Sequence, residues 1–328
     1  MSKVIELSAV SKVYRVHRTD QASRNLFRYF RREQISISAV KDVSFSIDEG
    51  EVVGFLGSNG AGKTTTLKML SGIIRPSAGS LCVLGQEPFK RQRDFLKSIA
   101  LVMGQKQQLT WDLPALESFH LQAALYDIPP TERRQRIKEL CELLSADDII
   151  HRPVRKLSLG ERMKCELMLS LLHRPNILFL DEPTIGLDLA MQAAIRKFLF
   201  DYNKETGATI ILTSHYMADI EALADRVIVL NEGGIVFDGD RQALVKAQVS
   251  ERQVSLRFSL PVCRESLLAY GTLISLTPDG AEILVPDGQV TDAVARLLAN
   301  LPVTDISIQR PSLEQAFPRL LLAKEPVC

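Results

Sequence analysis

Short, unbroken apolar runs recur through the first 240 residues: EVVGFL (51–56), SIALVM (98–103), NILFLD (176–181), ATIILT (208–213) and RVIVL (226–230). Runs of this length without polar alternation predict strands buried on both faces, as in a mostly parallel sheet with helices packed outside. Between about 106 and 174 the strand signal disappears. There ALESFHLQAALY and TERRQRIKELCELLSA carry apolar residues at helical spacing, which predicts a helical insertion in an α/β core. A helix from about Ala190 to Glu205 follows, with Gly207 placed as its C-terminal stop.

After about residue 248 the pattern changes. Val254, Leu256, Phe258 and Leu260 alternate strictly with other residues, the mark of a half-exposed strand. Pro278-Asp279-Gly280 predicts a turn between two short strands, ISL and ILV. Val290, Ala293, Val294, Leu297 and Leu298 fall on one helix face, Ile306 and Ile308 suggest a last strand, and PSLEQAFPRLL a final helix. The order β-α-β-β-α-β resembles a small ferredoxin-like domain. The chain therefore reads as a domain over 1–248 and a smaller α+β domain over 249–328. The second shows no titratable cluster in sequence, so dimer contact or regulation is expected of it.

One segment fits neither pattern. HRTDQASRNLFRYFRREQ, within an insertion over about 15–38, carries Arg18, Arg24, Arg28, Arg31 and Arg32 with Ala22, Leu26, Phe27 and Phe30 at helical spacing. A basic amphipathic helix of this kind suits a membrane surface or a partner protein. A loop packed on its own domain accounts for it equally well.

Composition narrows the classes. The chain has 328 residues, is 46% apolar and 24% charged, and carries a formal net charge of +1, so nothing global points to nucleic acid. Cys82, Cys141, Cys165, Cys263 and Cys328 lie far apart with no Cys-x-x-Cys pair, which argues against a zinc site or a disulfide framework and fits a reducing cytosol. The stretch MSKVIELSAVSKVYRV lacks the apolar core of a signal peptide. No run of about 18 apolar residues occurs, so no spanning segment is expected.

The chemistry concentrates in three places. GSNGAGKTT (57–65) follows an apolar strand and opens a helical pattern, matching G-x-x-x-x-G-K-[ST] in the context that motif requires. Gly57, Gly60 and Gly62 let the backbone curl so that the N–H groups along Ser58, Asn59, Ala61 and Thr65 face phosphates at a helix N-terminus. Lys63 supplies charge for the β- and γ-phosphates, and the Thr64 hydroxyl is placed to hold Mg²⁺. NILFLDEPT ends an apolar strand in two carboxylates: Asp181 to reach Mg²⁺ through its water shell, Glu182 to polarise the attacking water. In ILTSHYM, His215 lies just beyond another core strand, on the sheet edge where ligands bind. A neutral imidazole there can hydrogen-bond the γ-phosphate and orient Glu182. Gln105, after the strand ending in Val102-Met103, is a candidate for both Mg²⁺ and the attacking water, with Gln107 and Gln108 as rivals.

KLSLGERMK (156–164) adds a second cradle. Ser158 and Gly160 open a helix whose unpaired N–H groups suit an anion. Ser158 with Glu161 three residues on is also a capping box, typically worth about 1 kcal/mol and no function.

Taken in order, the phosphate loop, Gln105, the 157–161 stretch, LDEPTIGLD and His215 resemble the ATP-binding subunit of an ABC transporter over about 1–245. The resemblance implies a P-loop NTPase core, ATP and Mg²⁺ as cofactors, ATP hydrolysis, and a cytoplasmic-face, peripheral location beside separate multi-spanning permease subunits. It also implies a second ATP-binding subunit, here a homodimer partner, and no stable nucleic-acid partner. In the family the L-S-G-G-Q signature of one subunit caps the γ-phosphate held by the other. LSLGE stands in that place, so Ser158 and Gly160 are implied to bind the partner's ATP, with Leu159 and Glu161 departing from the pattern. Gly186-Leu187-Asp188 matches the segment linking the two sites. Tyr14 resembles the aromatic that stacks on adenine, with Phe27, Tyr29 and Phe30 as rivals. VMGQKQQLTWDLPALESF, PSLEQAFPRLL and the extra C-terminal domain bring the chain near drug-export ATPases of the daunorubicin-resistance and viologen-exporter kind. Trp111 is then a candidate for the surface that grips the permease, or else packs within the helical insertion. The alternatives are a soluble ABC ATPase acting on nucleic acid or ribosomes, and an import ATPase with a regulatory C-terminal domain.

Overall fold

The computed structural model describes residues 2–17, 34–104, 107–214, 216–248 and 251–309. In chain order the elements are β1 (Lys3–His17), β2 (Gln34–Asp48), β3 (Val52–Gly57), α1 (Lys63–Leu70), β4 (Ala78–Val83), α2 (Arg93–Ser98), β5 (Ile99–Met103), α3 (Ala115–Leu125), α4 (Pro130–Leu144), α5 (Leu159–Leu171), β6 (Ile177–Asp181), α6 (Leu189–Thr206), β7 (Thr209–Thr213), α7 (Met217–Leu223), β8 (Arg226–Asn231), β9 (Gly234–Asp240) and α8 (Arg241–Gln248). There follow β10 (Glu251–Phe258), α9 (Arg264–Leu268), β11 (Thr272–Thr277), β12 (Gly280–Pro286), α10 (Val290–Asn300) and β13 (Val303–Gln309). Two compact units part between Asp238 and Gly239, ahead of the pattern change near 248, so that α8 falls in the second.

The first unit is built on a six-stranded sheet of order β5-β6-β7-β3-β8-β9. The pairs β5–β6, β6–β7, β7–β3 and β3–β8 are all parallel. β9 is joined to β8 by Glu232-Gly233 alone, a link too short for a parallel crossover, so it returns antiparallel at the edge. Helices on both faces explain the unbroken runs: every residue of TIILT in β7 is buried, as are all but the last of ILFLD in β6. The helical insertion holds α3, α4 and α5 between β5 and β6.

A second sheet, β2-β1-β4, is antiparallel. Its Ile5, Val10, Val43 and Ile47 join Phe55, Phe179, Ile211 and Ile228 of the large sheet and Leu67 and Leu70 of α1 in one buried core. Phe45 and Phe55 meet edge to face, centroids 5.6 Å apart. The hairpin runs further than the sequence suggested. The expected insertion over 15–38 is shortened from both ends, because Arg15↔Ser36, Val16↔Ile35 and His17↔Gln34 continue the ladder and satisfy backbone groups there. The alternation in QISISAV marks this strand and was masked by the arginines before it. Residues 18–33, which hold the basic amphipathic pattern, lie outside the described residues.

The second unit carries a sheet of order β11-β12-β10-β13 with antiparallel neighbours, and α9 and α10 in the two crossovers. That order is the ferredoxin-like one expected from β-α-β-β-α-β. Val254, Leu256 and Phe258 of β10 pack with Leu267, Ile283, Val285, Ala293 and Leu297. Leu260 is a correction: β10 ends at Phe258, the Phe258 and Ser259 N–H groups turn to Asp279 and Pro302 carbonyls, and Leu260 is exposed. PSLEQAFPRLL lies outside the described residues.

The packing of β3 on α7 gives a direct test. A Cβ on Gly54 would sit 2.9 Å from Ile220 Cδ1 and 3.3 Å from Ala224 Cβ. Gly54→Val is therefore expected to cost about 1–3 kcal/mol through overpacking. Gly234→Ala, whose nearest neighbour is Asn231 O at 3.8 Å, is expected to shift stability by no more than about 0.5 kcal/mol. Urea midpoints of the two variants check the contrast.

Candidate functional site

Glycine is required where β2 crosses the phosphate loop: Gly62 has φ +103°, and a Cβ there would lie 2.5 Å from the Ala39 carbonyl oxygen. The loop closes on itself through Ala61 N–H to Ser58 O (3.1 Å), and Thr66 donates from both N–H and hydroxyl to Gly62 O. Ser58, Asn59 and Gly60 stay exposed at its tip. α1 starts at Lys63 with no acidic residue in its first turn, so its positive end is unopposed there. Lys63 Nζ is buried and donates to the Gly57 and Ser58 carbonyls at 2.7 and 3.1 Å. Burial pulls its pKa below the usual lysine range, while the Glu182 and Asp181 carboxylates act in the opposite direction.

Asp181 is the junction of the site. Its Oδ1 accepts from Thr64 Oγ1 at 3.0 Å and from Thr213 Oγ1 at 2.8 Å, joining α1, β6 and β7. Glu182 N–H donates to both the carbonyl and the hydroxyl of Thr213, each at 3.1 Å, and the residue is held at φ +55°. A non-glycine residue held there marks local backbone strain. Gly104, just past β5, donates to Asp181 O at 2.9 Å and approaches so closely that a Cβ would lie 2.3 Å from Glu182 O. No cluster of three or more His, Cys, Asp or Glu side chains able to hold a metal occurs among the described residues. The Thr64–Asp181 pair offers hard oxygen donors with a single carboxylate. That set fits Mg²⁺, which keeps several waters and takes further ligands from phosphates.

Behind this edge lies a buried polar knot. Asp219 of α7 is fully buried and accepts from Ser214 Oγ at 2.5 Å, from Thr184 Oγ1, and from Arg196 of α6 at 2.8 Å. It thereby ties the segment after Glu182 to the residue before His215.

The 156–164 stretch folds as a complete capping box. Glu161 N–H donates to Ser158 Oγ (3.2 Å), Ser158 N–H donates to Glu161 Oε2 (2.8 Å), and Arg152 pairs with Glu161 Oε1 at 3.4 Å. The Ser158 backbone bond, foremost, holds the Glu161 carboxyl below the usual carboxylate range. Gly160 is buried against Met191 of α6, whose Cγ a Cβ would meet at 2.7 Å. Asp188 caps α6 by accepting from Met191 N–H at 2.9 Å. Ser158, Leu159, Gly186 and Asp188 remain exposed on one surface, with Leu159 against Gly186.

Tyr14 is half-buried on β1, opposite Ile37 of β2, with Lys12 Nζ 5.2 Å from its ring centroid. Ile37 is two positions along the strand, about 7 Å, from Ala39, the residue that touches Gly62. Gln105 and His215 lie outside the described residues, as do Phe27, Tyr29 and Phe30. Of the rivals to Gln105, Gln108 has its side-chain amide nitrogen donating to Leu101 O at 3.0 Å. Sequence reading missed Gly104, Thr213, Thr184 and Asp219. Thr213 could have been found as the hydroxyl ending a core strand beside Asp-Glu; an acidic residue on the apolar face of MADIEAL was the sign of Asp219.

The polar knot carries a prediction. Asp219→Asn leaves an amide facing three donors and the Arg196 charge unpaired, and is expected to cost about 3 kcal/mol, read as a lowered urea midpoint.

A family profile described as ABC transporter matches residues 40–185, and one described as EvrA-like ABC transporter, C-terminal domain, matches 250–309. The ABC transporter ATP-binding protein NatA of Bacillus subtilis is 34% identical over 224 residues, covering 68% of this chain and 91% of that protein. The doxorubicin resistance ATP-binding protein DrrA of Mycobacterium tuberculosis is 32% identical over 292 residues, covering 86% and 88%. Among solved structures, a dimeric ATP-binding cassette bound to ADP and Pi superposes with a TM-score of 0.60 at 24% identity, covering 72% of this chain and 98% of that one, a likeness of fold. A phosphate loop facing Asp181 and Glu182, and relatives at 32–34% identity, one of them aligned across both units, lead to one assignment: the chain belongs to the ABC transporter family as an ATP-binding, ATP-hydrolysing subunit.

Proposed function

We propose that two copies of this chain close on two ATP molecules and drive export of a small, drug-like or cationic compound through a separate multi-spanning permease. The chain works at the cytoplasmic face of the membrane and has no stable nucleic-acid partner. The observation that carries the reading is the alignment with the doxorubicin resistance protein, which runs through both units. No helix of the described residues is long and apolar enough to cross a membrane, which agrees with a permease on another chain.

In this reading the N–H groups of Gly57 to Thr65 and the Lys63 ammonium hold the β- and γ-phosphates, and Tyr14 stacks on adenine. Thr64, Asp181 and Gln105 hold Mg²⁺, which supplies charge to the phosphoryl oxygens. Glu182 orients and polarises the attacking water, and His215 hydrogen-bonds the γ-phosphate. Ser158 and Gly160 serve the partner's ATP. The Ser158 hydroxyl uses an acceptor site in its capping box, so its proton stays available to a phosphate oxygen. Asp188 stands beside them on the same surface. Trp111, 47% exposed, belongs to the face offered to the permease.

Glu182→Gln is expected to lower ATP turnover by at least about 100-fold while forming a stable ATP-dependent dimer. A monomer by light scattering at saturating ATP would count against the homodimer. Because Glu161 folds back onto Ser158, Glu161→Gln should leave turnover within about twofold, the box accepting either residue. A rise of about tenfold would mean that the carboxylate opposes the phosphates. Gentle solubilisation and capture of the tagged chain tests the whole reading: a multi-spanning subunit in comparable amount supports it, and ribosomal proteins or nucleic acid without one overturn it.

A further inference from the structure

A second cavity, about 820 Å³ in volume, lies at the edge of the six-stranded sheet opposite the phosphate loop. β6 begins beside it, just after Asn176, and β7 begins there at Thr209; the two strands end at Asp181 and Thr213. About 13 Å of strand therefore separates it from the site described above. α4 of the helical insertion supplies Leu140 and Leu143 to its wall, and the core supplies Leu84, Pro175 and Tyr202. The volume is in the range of pockets that hold drug-sized molecules.

Its polar groups are of two kinds. Tyr202 is 5% exposed, and its hydroxyl has no hydrogen-bond partner among the described residues; the Thr206 hydroxyl donates to Tyr202 O at 2.7 Å instead. Burial pushes the phenol up to about 12, with the Thr206 side chain and the Arg174 and Arg136 charges acting the other way. It therefore keeps its proton at neutral pH and is a donor. Arg136 donates to Leu172 O at 2.6 Å and pairs with Glu132, yet its buried Nε–H is also without a partner among the described residues. Two buried donors without acceptors destabilise the chain, and an oxygen acceptor is what they lack. On the solvent side, Glu49, Glu142 and Glu205 are exposed, while Arg174 is already paired with Glu139 at 3.0 Å. Four carboxylates against two guanidinium groups make the lining electronegative.

We propose that this cavity binds a small cationic amphiphile: an amine with an apolar ring body and an oxygen acceptor. The acceptor takes the Tyr202 and Arg136 donors, the rings lie against Leu84, Leu140, Leu143 and Pro175, and the amine faces the exposed carboxylates. An anionic ligand would suit the two donors but not the charge around them. Because α4 belongs to the helical insertion and Tyr202 to the core, an occupant ties the two together from the edge away from ATP. The site is a property of one chain and stands or falls apart from the export reading.

Quinine and propranolol, two protonated amines with aromatic rings and ether oxygens, serve as probes, with anilinonaphthalenesulfonate as the anionic control. Equilibrium dialysis against the full chain should show saturable binding of at least one of the amines, one molecule per chain, that Mg-ATP does not displace. Tyr202→Phe keeps the ring and removes only the hydroxyl. It should weaken that binding about tenfold, the size of one lost hydrogen bond. The thermal midpoint of the ligand-free variant should hold or rise, because an unpaired buried hydroxyl has gone. Leu143→Arg, at a position 40% exposed, sets a cation beside the amine and should weaken binding by at least as much. That variant carries the test alone if Tyr202→Phe does not fold. Binding of neither amine overturns the proposal, as does equal binding by the native chain and the variants, or displacement by Mg-ATP. Tighter binding of the sulfonate than of either amine overturns it too, and so does a lowered midpoint in Tyr202→Phe, which would give the hydroxyl to the fold.

Discussion

One oxygen atom, Asp181 Oδ1, holds the site together. β6, β7 and β3 are consecutive parallel strands, so their carboxyl ends emerge side by side at the usual strand spacing of about 4.8 Å. Asp181 pairs in register with Thr213, and β3 leads from Gly57 into the loop that ends at Lys63 and Thr64. Two hydroxyls from different elements can then converge on a single carboxylate oxygen. Glu182, the next residue, is fixed by its N–H to Thr213, and Gly104 closes from the other side because it has no side chain to obstruct it. An antiparallel sheet would send alternate strand ends to opposite edges, and these groups would not meet.

The loops leaving this edge lack the ladder partners of regular structure, and their polar groups must still be satisfied once buried. Two acidic residues on helices do this: Asp219 for the segments containing Thr184 and Ser214, Glu166 for the N–H groups of Gln108 and Leu109. Both are nearly or fully buried, a position a carboxylate occupies only when its partners are complete. Each therefore limits how far a loop can move without its helix, which is how a site made of loops acquires the rigidity that positioning a phosphoryl group demands.

The stretch around Ser158 shows that a structural and a functional reading of one motif can hold together. The capping box is complete, and it holds the Glu161 carboxylate on the Ser158 N–H while fixing Ser158 at the N-cap. Gly160 is needed for a second reason, the close packing of α5 on Met191, and that contact joins α5 to the helix that Asp188 begins.

The sequence by itself determined the elements whose signals are local. Unbroken apolar runs announced a parallel sheet, Gly62 and Lys63 stood in a phosphate loop between strand and helix, Asp181 and Glu182 ended a core strand, and alternation from Val254 marked the ferredoxin-like domain. Order along the chain was enough there, because each depends on neighbours within a few residues. Tertiary structure decided the rest. The small sheet β2-β1-β4 has strands too long and too interrupted by polar residues to stand out, and the arginines beside QISISAV hid where β2 begins. Thr213, Asp219 and Glu166 each depend on a partner that only folding brings near, Asp181, Thr184 and Gln108, lying 32, 35 and 58 residues away. A carboxylate buried against backbone N–H groups and one in solvent look the same in sequence; the difference is the desolvation that only the packed chain imposes.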